Sequence, residues 1–419
     1  MGPTLIFDKS ALQSLSIDEA VWLDNFFITN ITPLFFIETL ADLEKQVRAG
    51  LTPEQAVGAL AHKTPDAASC ANVHHASLMA GELLGVQPVD MRYGRPVVSV
   101  RQEVQLGDQL GCIIKRSPEE EALRRWQAGQ FLEVERTVAK QWRRALSVAS
   151  LDAHYQWFQR QFLTHAKPKN VSDAKAMADA FIDSPNQADV FQFGLRLLGA
   201  SPDIQGRALS RWNAAGRPQI AAFAPYFRYV FGVELFFFLA IAADLISRER
   251  PSNKIDIAYL YYLPFCMVFS SNDRLHARVV PLFLGATQTF IDGHALKSDL
   301  MRLDRYYSGL PDELKQRGII SFASEPPPDV TFVVTQLWDK YLPSWRHKCP
   351  PKRGHEKEVS DLEALELIRQ FKEESTPVDA DRAMTGELDM MLIERRVLIT
   401  KGKWKRFPPE VQPDEQLHD

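Results

Sequence analysis

The chain opens on a four-residue apolar run, Thr4 to Phe7, that stops at Asp8, a pattern that predicts a short buried strand. Ser16-Ile-Asp-Glu19 then carries the reciprocal Ser/Glu signature of a helix start and predicts a helix from Ile17 to about Phe26. Pro33 suits the first turn of a further helix over Leu34 to Gln46. The same texture returns near residue 252. A helix over Asn253 to Tyr262 is halted before Pro264, and Phe265 to Ser270 reads as a strand. Asp273 opens a helix reaching Leu284, Thr287 to Ile291 reads as a strand, and His294 to Tyr307 as a helix. Strands alternating with helices predict a parallel sheet covered by helices.

Between these passages the pattern changes. Val97 to Ile114 alternates about Gly107-Asp108 and predicts a β-hairpin. Ser117-Pro-Glu-Glu-Glu121 starts a helix expected to run to about Leu146. Its arginines interleave with glutamates, as on a solvated face. Ser172-Asp173, Ser184-Pro185 and Ser201-Pro202 each announce another helix. Ile220 to Ile246 is very apolar, but Arg228, Glu234 and Asp244 interrupt it, and Leu235 to Ala243 falls short of the roughly 20 residues of a membrane span. A buried core helix and no membrane contact are therefore expected. Beyond Pro326-Pro-Pro328 a helix over Val330 to Tyr341 precedes a charged stretch with a second capping box, Ser360-Asp-Leu-Glu363. The expected class is α/β: a sheet domain split over 1–48 and 252–310, a mostly helical insertion over 49–251, and a charged extension over 311–419.

Composition narrows the function. With 45% hydrophobic and 24% charged residues among 419, the chain is not disordered overall. A net charge of −4 excludes a wholly basic nucleic-acid coat and leaves room only for local contacts. Cys70, Cys112, Cys266 and Cys349 lie far apart and read as reduced thiols. With no secretory leader in the N-terminal pattern, a cytoplasmic setting is expected. His74-His75 beside Cys70 fits no zinc spacing and reads as structural.

The candidate chemistry is acidic. Asp8 ends the first strand, Glu38 sits on an apolar helix, and Asp256 and Asp273 flank the strand before residue 271, 17 residues apart. Strand carboxyl ends form the working crevice of open α/β sheets, so these acids are expected to meet there. Each also has an ordinary reading: Asp8 as a turn residue, Asp256 and Asp273 as helix caps, Glu38 on an exposed face. Four carboxylates in one cleft repel unless a cation joins them, and hard oxygen donors suit Mg²⁺ or Mn²⁺. Asp42 shares the helical face of Glu38, and His276 lies one turn past Asp273 within reach of a phosphate.

Ile6-Phe-Asp-Lys-Ser10, Glu38 in Ile37-Glu-Thr-Leu-Ala-Asp42, Asp256 in Lys254-Ile-Asp-Ile-Ala258, and Val268-Phe-Ser-Ser-Asn-Asp273 together resemble the PIN-domain nucleases. The resemblance covers residues 3–48 and 252–308, with Glu38 and Asp256 218 positions apart. It implies a parallel sheet and metal-dependent cleavage of phosphodiesters, RNA ahead of DNA, leaving 5′-phosphate and 3′-hydroxyl ends. Asp8, Glu38, Asp256 and Asp273 would bind the metal, with Ser271 as the hydroxyl of the Ser/Thr-x-Asp element. A catalytically silent nucleic-acid-binding or scaffold protein of the same fold is the alternative. The insertion would serve substrate, a regulatory partner or self-association. Near the C-terminus, Arg395, Arg396, Lys401, Lys403, Lys405 and Arg406 surround Trp404, a mixture that suits phosphate contact and base stacking and equally suits a solvated edge strand.

Overall fold

A computed structural model describes residues 2–91, 101–137, 152–347 and 397–407, apart from a few positions inside these ranges, and short pieces at 369–377 and 390–393. Among them lie β1 (Thr4–Phe7), β2 (Ile28–Ile31), β3 (Ser69–Ala71), β4 (Arg101–Leu106), β5 (Gln109–Ile114), β6 (Val268–Ser271) and β7 (Thr289–Asp292). Five of these form one parallel sheet in the order β3-β2-β1-β6-β7. The expected parallel sheet flanked by helices is therefore present. The antiparallel hairpin β4–β5 turns at Gly107, whose φ of +59° favours glycine.

Strand alternation divides the core in two. Leu5, Phe7 and Val268 point to one face, packed by the helices Ile17–Phe26, Gly293–Ser308 and Val333–Tyr341. Ile6 and Phe269 point to the other, covered by the helices between Asp152 and Ala258 and by the 3₁₀ turn Tyr259–Phe265. The result is three layers, helix–sheet–helix. Ser16 and Glu19 exchange the bonds of a capping box, so the helix starts at Ile17 as the pattern requires.

Three features depart from the sequence expectation. First, β2 and β3 are strands of the central sheet, and β3 lies inside the stretch read as insertion. β2 carries Thr29 and Asn30 on buried positions and β3 is three residues long, so neither shows an apolar run. Second, Pro264 does not follow a helix but lies within the 3₁₀ turn Tyr259–Phe265. Third, described residues past 310 pack onto the sheet domain. Trp338 donates to the Phe26 carbonyl at 3.0 Å, and Trp404 packs edge-on against Trp22 with ring centroids 4.7 Å apart.

Among the described residues, Pro225–Ala242 is the one helix long and apolar enough to cross a membrane, and 83% of that span is buried inside the protein. Polar contacts fix it there. The Glu82 carboxylate accepts from the amides of Tyr226 at 3.1 Å and Phe227 at 2.8 Å, capping the helix from another element. Midway along, Glu234 accepts from the Tyr261 hydroxyl at 2.6 Å and pairs with Lys254.

Candidate active site

The site lies at the carboxyl end of the sheet. Asp8 leaves β1 and caps the helix Lys9–Ser14, accepting the Ala11 amide at 2.9 Å. Ser10 donates to both of its carboxylate oxygens, at 2.9 and 2.8 Å. From the end of β6 the Ser271 hydroxyl donates to Asp8 Oδ2 at 2.7 Å. That hydroxyl also faces His276 Nδ1 at 2.7 Å, while His276 Nε2 faces the Asp256 carbonyl at 2.7 Å.

These bonds define a protonation state. The Asp256 carbonyl can only accept, and the Ser271 hydroxyl directs its hydrogen to Asp8, so both nitrogens of His276 are left to donate. The fully buried imidazole is thus a cation, 3.5 Å from Asp8 Oδ2. Burial alone would strip its proton, but the Asp8 carboxylate, then Asp256, outweigh it and hold the pKa up at about 9. Reciprocally, burial would raise Asp8, but His276, Ser271 and Ala11 hold it below the ordinary carboxylate value.

Glu38, on the helix Pro33–Arg48, comes down over this pair and accepts from the Tyr259 hydroxyl at 2.9 Å. Burial first, and then the negative charges of Asp8 and Asp256, push its pKa up to about 7, although the Lys9 ammonium opposes them. Residues 8, 38 and 256 therefore share one electrostatic neighbourhood. Asp273 stands at its rim as the cap of the helix Arg274–Val279, accepting the Leu275 amide at 2.5 Å.

A raised acid destabilises the fold where it is charged. Glu38 binds its proton more tightly folded than unfolded, so stability falls as pH rises from about 4.5 to about 7. Replacing Glu38 with Gln is expected to raise stability by about 1–3 kcal/mol at pH 8 and to change little at pH 4.5. Urea unfolding at the two pH values measures this, and equal effects at both would refute it.

The ladder registers reveal a larger arrangement. Ile6 faces Asn30, Asn30 faces Cys70, Phe7 faces Ser270 and Ser271 faces Asp292. Continuing those registers places Asn72, Thr32, Asp8, Ser271 and Asp292 in one row along the carboxyl edge, all on the face that carries Ile6. Asp292 is an acid the sequence reading missed. It is exposed and caps the helix Gly293–Ser308 through the amides of His294 and Ala295. The signal was available, because Asp292 ends a strand just as Asp8 does. Lys9, buried beside Asp8, was also overlooked.

Other expected residues fall elsewhere. Asp42 continues the helix of Glu38, but its side chain lies outside the described residues, as do Arg395 and Arg396. Both ring nitrogens of His276 are engaged, by the Ser271 hydroxyl and the Asp256 carbonyl, so it stands beside Asp8 with no donor left over for a phosphate. Lys401 donates to the Thr64 carbonyl at 2.7 Å, and Arg406 pairs with Asp24 at 2.7 Å and with Asp66. Trp404 is buried and donates to Asp304 at 2.8 Å, while Lys403 reaches Asp304 at 2.5 Å. The basic segment thus spends Lys401, Trp404 and Arg406 on internal partners, leaving Lys403 and Lys405 nearest to solvent.

Among the described residues no three His, Cys, Asp or Glu side chains converge closely enough to hold a metal ion as they stand. No family model, curated protein or solved structure matches this chain. What the geometry itself defines is an α/β protein with a polar row at the carboxyl edge of its sheet, overhung by Glu38.

Proposed function

We propose that this chain is a PIN-like nuclease that hydrolyses phosphodiesters, RNA ahead of DNA, with the help of Mg²⁺ or Mn²⁺. The observation that carries the reading is the crowding at Glu38, where buried Asp8 and half-buried Glu38 and Asp256, from separate parts of the sequence, repel one another. Such crowding costs stability and is typical of working sites. Carboxylate oxygens are the donors that a hard divalent cation takes, and such an ion would relieve the repulsion, but the acids would have to draw closer together to hold it. Asp8, Glu38 and Asp256 would hold it, with Asp273 at the rim. A bound cation of this class activates water and steadies the charge that develops on a phosphate.

The chain's own groups have distinct tasks in this reading. Ser271 and His276 keep Asp8 ionised and oriented, so it presents a fixed negative charge. Glu38, whose proton is held by burial and by the charges of Asp8 and Asp256, would give that proton up to make room for the cation. Tyr259 holds that carboxyl in place.

A second reading has a specific observation in its favour. His276 and Lys9 bring two positive charges into the acid cluster, so an added cation is not required for neutrality. That favours a silent scaffold or nucleic-acid-binding protein with the same fold.

Cleavage of labelled single-stranded RNA, single-stranded DNA and duplex DNA separates the two. Manganese-dependent cutting that disappears with EDTA and with Asp8→Asn/Asp273→Asn is the expected result. Silence on all three substrates, with no rise in melting temperature on adding Mn²⁺, would leave the scaffold reading.

A further inference from the structure

The row at the carboxyl edge changes character along its length. Toward β6 and β7 it is acidic and bonded. Toward β2 and β3 it is neutral, and its hydrogen-bonding capacity is unspent. Thr32 Oγ1 and both amide atoms of Asn72 are buried without a hydrogen-bond partner, as are Asn30 Oδ1 and His75 Nδ1. Thr32 is fully buried and Asn72 is 2% exposed.

Thr32 makes the point sharply. It stands just before Pro33, where a threonine hydroxyl ordinarily caps the helix by accepting an amide two or three residues on. Here the Phe35 amide instead goes to the Thr32 carbonyl at 3.0 Å, and the hydroxyl is left over. Asn72 is held by its backbone, whose amide donates to the Ile31 carbonyl at 2.8 Å, so its side chain stays beside Thr32. The Tyr262 hydroxyl accepts from the His75 amide at 2.9 Å and donates to the Val73 carbonyl at 3.2 Å, fixing the segment over the row.

Buried polar atoms without partners cost about 1–3 kcal/mol each, and native folds keep few of them. Three of them, on the facing residues Thr32 and Asn72 next to a candidate hydrolytic site, call for a partner that both donates and accepts and bears no charge. A hydroxyl group has that chemistry.

We propose that Thr32 and Asn72 form a hydroxyl-binding subsite beside Asp8, filled by the 2′-hydroxyl of a ribose or by ordered water. In its ribose form the proposal rests on the nuclease reading and deepens it, since it gives the protein a physical means of preferring RNA. The acids would act on the phosphate while the neutral end of the row reads the sugar. The 2′-hydroxyl is the group by which RNA differs from DNA at a given position.

The test compares binding of one fluorescent single-stranded RNA and the DNA of the same sequence, in EDTA, for the native chain, Thr32→Val, Asn72→Leu and Thr32→Ser, with melting curves for each. A native preference for RNA of about tenfold or more, collapsing in the Val and Leu variants and kept by Ser, supports the subsite with a sugar hydroxyl as its ligand. No ribose preference, but a melting temperature lowered by Thr32→Val and not by Thr32→Ser, supports it with ordered water as the ligand. No preference and an unchanged or raised melting temperature in Thr32→Val overturns it, as does an RNA preference that survives both apolar variants. A ribose preference without any cutting would keep the subsite and sink the nuclease reading. Cutting with neither ribose preference nor melting shift would do the reverse.

Discussion

Replacing His276 with Leu is expected to cost about 3–5 kcal/mol of folding stability at pH 7, because it strands the buried Asp8 carboxylate without its cation. Asp8 is 3% exposed, so water cannot take over the role. Partial relief should come from adding Asp8→Asn, which removes the stranded charge, and the two changes should therefore be non-additive. The pH dependence has a definite sign. His276 titrates at about 9 when folded, against an ordinary value near 6.5. The stability it contributes is whole below about pH 6.5 and fades as pH rises through about 9. Urea unfolding at pH 6.5 and at pH 10 should show a large cost for His276→Leu at the first and a small one at the second. A loss below about 1 kcal/mol at pH 6.5 would mean that the imidazole is not the counter-charge of Asp8.

Arg406→Ala is expected to be as damaging, again by about 3–5 kcal/mol. Its guanidinium, 4% exposed, binds Asp24 and Asp66 at the opposite end of the sheet from the acid row. Asp24 also accepts the Asp66 amide at 3.1 Å and the Ala68 amide at 2.9 Å, so it orders the approach to β3. Burial raises the Asp66 carboxyl, with Lys401 and Arg406 as the opposing influences. Removing one of the two cations leaves two buried acids facing one lysine. Thermal unfolding should show a fall of several degrees, and ending the chain before residue 397 should reproduce it. A variant that melts like the native chain would show that the segment is an ornament.

The sequence made the sheet's bones legible where elements announce themselves locally. Ser16 and Glu19 mark a helix start within four residues, and the run Phe265 to Ser270, which overlaps the strand Val268–Ser271, is apolar enough to stand out. Asp8 and Asp273 could be located because each ends or follows such an element. Asp292 escaped because the strand was closed at Ile291, one residue early. β2 and β3 escaped because their buried positions hold Thr29, Asn30 and Ser69, whose polarity imitates a loop.

Charge was harder to read than shape. Counting acids alone called for an external cation, whereas Lys9 and His276 bring positive charge from one residue and three residues away from candidate acids. Whether a neighbour in sequence is a neighbour in space depends on which way each side chain leaves its helix. The basic segment near residue 400, which suits phosphate contact and a solvated edge strand equally in the sequence, conceals its internal pairing for the same reason. Its partners Asp24, Asp66 and Asp304 lie about one hundred or more residues upstream and leave no local trace.

The central strand β1 obtains its two neighbours at very different times during synthesis. β2 follows within 25 residues, but the β6 partner of Leu5 is Val268. At roughly 5–20 residues per second, a ribosome needs on the order of tens of seconds to supply it. Throughout that interval the nascent chain carries an apolar strand with one bare edge, a template for unwanted pairing and a reason to stay near a chaperone. The same delay separates Asp8 from Ser271 and His276, so the carboxylate acquires its counter-charge only after the helical middle of the chain has been made. An unfinished polypeptide therefore has no assembled acid row.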